Sequence, residues 1–205
     1  MKNKFQKSVL LSLVCGILLI LAACGTADSP KTDAQIAESI TESQTAEATV
    51  KTLVVYFSGT GTTRAVAEKI AEFAGADLKE IVPAVPYTEA DLDYNDENSR
   101  TSIETSDPDC RPEIAEEISL EGYDRVFVGY PIWWGDLPPI LSTFVESHDF
   151  KEMTVIPFCT SGGSGIEQSQ ETIMSRSTGG NWKTGKRFGS GVADKELQSW
   201  LDSLN

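Results

Sequence analysis

Three runs constrain what this 205-residue chain folds into: Thr52-Leu-Val-Val-Tyr-Phe57, Arg125-Val-Phe-Val-Gly-Tyr130 and Thr154-Val-Ile-Pro-Phe-Cys159. Each is nearly continuous in apolar residues, where a half-exposed strand would alternate, as expected of a strand covered on both faces. Each leads into a loop of small or special residues and then into helical spacing. After the first, Val66, Ile70, Phe73 and Ala74 share one helical face and Gly75 ends the helix. After the second, Pro138 and Pro139 suit a first turn, with Ile140, Leu141, Phe144 and Val145 supplying a buried face. A helix after the third runs to about Met174, and Leu197, Trp200, Leu201 and Leu204 define a closing helix. Asp77–Val82 and the stretch around Trp182–Phe188 read as two weaker strands. Five strands alternating with helices predict an α/β fold, a doubly wound parallel sheet with helices on both faces.

Only residues 52–205 are needed for that fold. Lys2, Lys4 and Lys7 precede an apolar run from Val9 to Ala23, too short for a bilayer core that needs roughly 20 residues. The run ends Leu21-Ala-Ala-Cys24, which resembles a bacterial lipoprotein signal and implies that residues 1–23 are removed and Cys24 is lipidated on sulfur; an ordinary secretory peptide with an incidental Cys24 and an uncleaved membrane anchor are the alternatives. Residues 24–51 read as the lipidated cysteine and a flexible tether, because Ile36, Ile40 and Val50 are their only large aliphatics. The resemblance implies a domain on the extracytoplasmic face of the membrane.

Charge and residue inventory exclude several functions. Seventeen Lys and Arg against 31 Asp and Glu give a formal charge of −14, a surface that a nucleic-acid backbone would repel. Twelve of the acids fall between Pro83 and Gly122, facing only Arg100 and Arg111, which predicts a solvent-facing helix plus irregular loop. One histidine, His148, and four cysteines without a C-x-x-C pair leave no zinc or dithiol motif. His148, the one available imidazole base, sits at a helix end, where dipole interaction or capping is its expected role. Cys110 and Cys159 are available for a disulfide outside the cytoplasm, although Cys159 at the end of a buried strand also suits an inert core thiol. Gly180–Lys186 fits G-x-x-x-x-G-K, but Arg187 stands where Ser or Thr is required. Ser164 lacks a hydrolase elbow, since Ile166 breaks G-x-S-x-G.

Ligands of open parallel sheets bind beyond the carboxyl ends of the strands, so the chemistry is sought in three loops. Ser58, Gly59, Thr60, Gly61, Thr62 and Thr63 offer hydroxyls and backbone freedom at the start of a helix whose first amides lack partners. That combination suits phosphate; a plain turn capped by Thr62 or Thr63 is the alternative. Arg64 stands at the third glycine position of a dinucleotide fingerprint. In the second loop, Pro131, Ile132, Trp133, Trp134 and Gly135, at least one indole is expected to face a planar heterocycle, with Gly135 allowing close backbone approach. Thr160, Ser161, Gly162, Gly163 and Gly165 form a second glycine-rich turn able to wrap the other side of a ring. The nearest basic group, Lys183, Lys186 and Arg187, has nothing in the sequence to place it at that edge.

Together the Ser58–Thr63 loop, Tyr130-Pro-Ile-Trp-Trp-Gly135 and Phe158-Cys-Thr-Ser-Gly-Gly-Ser-Gly165 resemble the flavodoxin-like family, in its bacterial branch with a Pro-Ile-Trp-Trp-Gly segment. Ile81–Thr88 is similar to that branch as well. The family's loop commonly has Asn where Thr62 stands, and Ser161 stands where the branch would have His. The resemblance implies a five-stranded parallel sheet in order 2-1-3-4-5 that binds FMN non-covalently at the three loops. The expected role is electron transfer with a redox partner protein or small electron acceptor, without catalytic residues of the chain's own and without a metal. The alternatives are an NAD(P)H-dependent flavin or quinone reductase and a flavin-free ligand-binding lipoprotein.

Overall fold

The computed structural model describes residues 50–204, so the signal, Cys24 and nearly all of the tether lie outside the described residues. The elements are β1 (Thr52–Tyr56), α1 (Thr62–Ala74), β2 (Asp77–Glu80), α2 (Arg100–Ser106), β3 (Arg125–Pro131), α3 (Pro139–Glu146), β4 (Thr154–Thr160), α4 (Glu167–Arg176), β5 (Asn181–Trp182), β6 (Lys186–Phe188) and α5 (Asp194–Asp202). All strand pairs are parallel, in the order β2-β1-β3-β4-β5, with β6 also on β4.

Alternation along the buried strands divides the core. Leu53, Val55, Val126, Val128 and Tyr130 pack with Ile140, Leu141 and Phe144 of α3 and Ile173 of α4. Val54, Tyr56, Phe127, Ile156 and Phe158 face Val66 and Ile70 of α1 and Leu197, Trp200 and Leu201 of α5. Both faces are therefore covered, which is why β1, β3 and β4 read as continuous apolar runs. Gly129 makes this packing possible: a Cβ there would fall 2.1 Å from the Phe158 ring.

The fifth strand position departs from expectation. In place of one strand around Trp182–Phe188, β5 pairs with Thr154 and Val155, and β6 pairs with Phe158, Cys159 and Thr160. The break falls opposite Pro157, which has no N–H for the ladder. Lys183 N donates to Val155 O, so this side of β4 faces the broken edge. Gly185 fills the gap, where a Cβ would meet Pro157 O at 2.6 Å.

Two further boundaries shift. β2 ends at Glu80, short of Val82, because Pro83 bridges antiparallel to Ile114 and Val82 O accepts from Ala115 N. Lys51, the last residue assigned to the tether, packs on the domain: its N–H donates to Asp124 Oδ2 at 2.8 Å and its ammonium lies 4.3 Å over the Tyr123 ring. The acidic stretch holds one short helix, α2, capped by Ser99, amid turns built by Asp93 and Asp96. The register Tyr56–Gly129–Phe158–Lys186 brings the loops after β1, β3 and β4 out along one edge.

Candidate functional site

The first loop curls on itself. Gly61 N donates to Ser58 Oγ at 3.0 Å, and Gly61 occupies the left-handed region with φ 86° at the N-cap of α1. No side chain caps that helix, so the capping alternative for Thr62 and Thr63 is not realised. Thr63 is buried instead, its hydroxyl 2.8 Å from that of Thr160 at the end of β4. The Thr60 and Thr62 hydroxyls lie 3.4 Å apart on the open side. Arg64 turns away: it donates to both carboxylate oxygens of Glu80, at 2.7 and 2.8 Å, and to Tyr56 Oη. The loop thus offers hydroxyls and uncapped amides, with its nearest cation already paired.

In the second loop, Trp133 N and Asp136 N each donate to the other residue's carbonyl at 2.9 Å. The turn between them puts Trp134 at φ 47° and Gly135 at φ 86°. Two successive positive φ values define a type I′ turn, and Trp134 is the one non-glycine residue in that region among the described residues. A left-handed tryptophan costs roughly 1–2 kcal/mol, strain of the kind that collects at functional sites. The turn divides the two indoles. Trp133 packs edge-on to Phe57 and Tyr87, at 5.4 and 5.5 Å between ring centres, while Trp134 stays 49% exposed.

A cleft of about 350 Å³ opens between these loops. Gly59 and Thr60 form one wall and Pro131–Trp134 another; Leu92, Tyr94 and Thr101 close the third. The floor is tight, since a Cβ on Gly59 would lie 3.2 Å from Leu92 and 3.5 Å from Trp133. Thr60 also borders a second cleft, of about 380 Å³, shared with Gly61, Thr62, Lys69 and Ser190–Val192. Lys69 is held there by Asp194 Oδ1 at 2.6 Å and Val192 O at 3.2 Å.

The third wall was not foreseen in the sequence, and neither was its support. Behind Trp133, Tyr87 Oη donates to Glu104 Oε2 at 2.6 Å and Arg100 Nε donates to Glu104 Oε1 at 2.6 Å. The Arg100 guanidinium lies 4.1 Å over the Tyr87 ring and also donates to Val85 O. Burial first, and then the Glu104 carboxylate, raises the Tyr87 hydroxyl pKa above its ordinary value. Glu104 is buried but fully engaged, as a buried carboxylate must be. The one signal available in the sequence was Arg100–Glu104 at helical i, i+4 spacing.

The third loop stands apart. Thr160 is tied to Thr63, but Ser161, Gly162, Gly163 and Gly165 do not line the cleft. Ser161 N donates to Phe188 O, and Arg187 Nη1 donates to Ser161 O at 2.9 Å. Strand register therefore brings Arg187 beside the third loop, a neighbour that the sequence did not indicate.

Other candidates resolve structurally. Cys110 and Cys159 are free thiols, and burial pushes the Cys159 thiol up to about 12. The His148 ring nitrogens face Phe144 O at 2.6 Å and Ile118 O at 2.7 Å, joining the end of α3 to the acidic segment. Lys186 opens the strand β6, where a nucleotide P-loop would need it to open a helix.

Residues 51–204 match the family model for flavodoxin, and the chain belongs to that family. It is similar to two Bacteroides proteins provisionally assigned as flavoproteins. The B. eggerthii DSM 20697 structure is 47% identical with a TM-score of 0.70, covering 75% of this chain and 96% of that one. The B. uniformis ATCC 8492 structure is 43% identical with a TM-score of 0.71, covering 75% and 98%. A flavoprotein from Lactobacillus acidophilus NCFM, solved in complex with FMN, is 26% identical with a TM-score of 0.55, covering 74% and 99%. No curated protein matches the chain.

Proposed function

We propose that this chain is an FMN-binding electron carrier, tethered through lipidated Cys24 to the extracytoplasmic face of the membrane. The observation that carries the reading is the position of Thr60, which borders both the aromatic cleft and a second cleft of mixed lining, where Thr62, Lys69 and Ser190 stand beside Ala65, Val66 and Val192. A ligand with a flat apolar body and a short anionic tail meets both environments at once. The cleft volume lies in the range of about 300–1,000 Å³ for small-molecule and cofactor sites. The FMN complex of the L. acidophilus relative supports the same ligand.

In this reading, Ser58, Thr60, Thr62 and the uncapped amides of α1 hold the phosphate. Trp134 offers its indole face at the mouth, while Trp133, braced by Tyr87, keeps the inner wall fixed. Bound FMN supplies the electron exchange; the chain supplies binding, orientation and field. Acids at 89, 91, 93, 96 and 97 border the Leu92–Tyr94 wall. They disfavour added negative charge in the cleft, which favours a low potential, and they attract a basic partner surface. The tether ends would lie roughly 25–30 Å apart as a flexible coil, enough for the domain to reach partners near the membrane.

The test is the visible spectrum of the purified protein. A flavin spectrum, with FMN released on denaturation, is expected; a colourless protein that takes up no added FMN overturns the reading. For the anchor, Cys24→Ala should move the protein out of the membrane fraction, and wild-type protein in the cytoplasmic fraction would refute it.

A further inference from the structure

We propose that Arg187 and the Ser161–Gly165 shelf seat an anionic group, a carboxylate, sulfonate or phosphate, on the small molecule that exchanges electrons with the bound cofactor. The proposal rests on the FMN reading above. Arg187 pairs with Cys159 across β6 and β4, and Cys159 pairs with Tyr130 across β4 and β3. Two strand spacings, roughly 10 Å, therefore separate the Arg187 backbone from Tyr130, whose next residues wall the cleft. Strand alternation puts Arg187 on the same face as Tyr130 and Cys159, because neighbouring Phe188 packs on the opposite one. The guanidinium also acts on the Cys159 thiol, opposing the rise due to burial.

Charge accounting singles Arg187 out. At the same edge Arg64 is bound to Glu80 and Lys69 to Asp194. Arg187 is exposed and makes no ion pair among the described residues. One of its five N–H donors is used, on Ser161 O; the others remain for a planar anion. The shelf beside it is bare, since a Cβ on Gly162 or Gly163 would meet nothing within 4 Å. Backbone N–H groups of Gly162, Ser164 and Gly165 find no acceptor among the described residues. One carboxylate already leans on this shelf: a Cβ on Gly165 would fall 1.9 Å from Glu167 Oε2. Glu167 is thus a built-in competitor for an incoming anion, and its removal should act opposite to removal of Arg187.

The experiment uses the full chain loaded with FMN and two quinones of one scaffold, 1,4-naphthoquinone-2-sulfonate and uncharged 2-methyl-1,4-naphthoquinone. Calorimetry measures their binding to oxidised protein. In stopped flow, each quinone takes two electrons and two protons from dithionite-reduced protein, giving the hydroquinone and the oxidised cofactor. Arg187→Gln should lower the preference for the sulfonate over the uncharged quinone about fivefold in both measurements, the scale of an exposed charge pair. Arg187→Lys should restore part of it, and Glu167→Gln should raise it about twofold. Parallel changes for both quinones, or none, overturn the proposal. So does an Arg187→Gln variant that loses FMN while keeping riboflavin, which would assign the seat to the cofactor's own phosphate. Wild-type protein that binds no FMN refutes the underlying reading, whereas FMN binding with an unchanged quinone preference refutes the Arg187 seat alone.

Discussion

Two glycine-rich loops leave the same sheet edge, and the structure treats them differently. Ser58–Thr63 is wound tight, with Gly61 left-handed and bonded to Ser58, and it borders both clefts through Thr60. Ser161–Gly165 is open, lies off the cleft and has a carboxylate leaning on Gly165 and an arginine on Ser161 O. Glycine serves conformation in the first and space in the second. A small-residue turn after a buried strand therefore marks the ligand edge of a parallel sheet, while the charges and walls around it decide its use.

The comparison breaks most readily at the phosphate. Replacing Thr60 and Thr62 together by Ala should weaken FMN by about 3 kcal/mol or more, since hydrogen bonds to charged groups contribute roughly 1.5–3 kcal/mol each. Riboflavin affinity should barely change, and Ser161→Ala should leave both ligands alone. Fluorescence titrations with the two flavins decide it; equal losses for FMN and riboflavin would move the phosphate elsewhere. A smaller effect is expected at the ring. Trp134→Ala should cost about 1–3 kcal/mol for FMN and riboflavin alike, by analogy with bases stacked on aromatics. Trp133→Phe should lower the unfolding midpoint with less effect on affinity, because Trp133 packs on Phe57 and Tyr87. If Trp133 controls flavin affinity and Trp134 does not, the division of labour read from the turn is reversed.

The difference between the loops also marks how far the sequence could be read. β1, β3 and β4 were legible because strands buried on both faces are apolar between their ends, and the amphipathic helices followed from their spacing. The split of the fifth position into β5 and β6 was not, since Pro157 acts on a neighbouring strand across the sheet. Leu92, Tyr94 and Thr101 were hidden for another reason: the first two lie in turns and the third in the short helix α2, with no period to connect them. The allotment of the two indoles was set by backbone torsions at Trp134 and Gly135, which side-chain identity does not report. Arg187 reached the edge through strand register, a long-range property that local reading misses.

The finest distinction concerns the glycines themselves. Gly61 has φ 86°, where a side chain is strained whatever the space, so Gly61→Ala should cost about 1–2 kcal/mol of stability. Gly162 lacks a positive φ and has nothing within 4 Å of an added Cβ. Gly162→Ala should thus fall within about 0.5 kcal/mol of wild type, with a slight gain possible because alanine restricts the unfolded chain. Urea unfolding of the two variants, each compared with wild type at one FMN concentration, measures the contrast. Equal destabilisation would mean that the third loop is as conformationally committed as the first, and its glycines would then need a reason other than room for a ligand. A neutral Gly162→Ala that nonetheless lowers the sulfonate preference would show the reverse: the shelf is kept bare for what binds there and not for the fold.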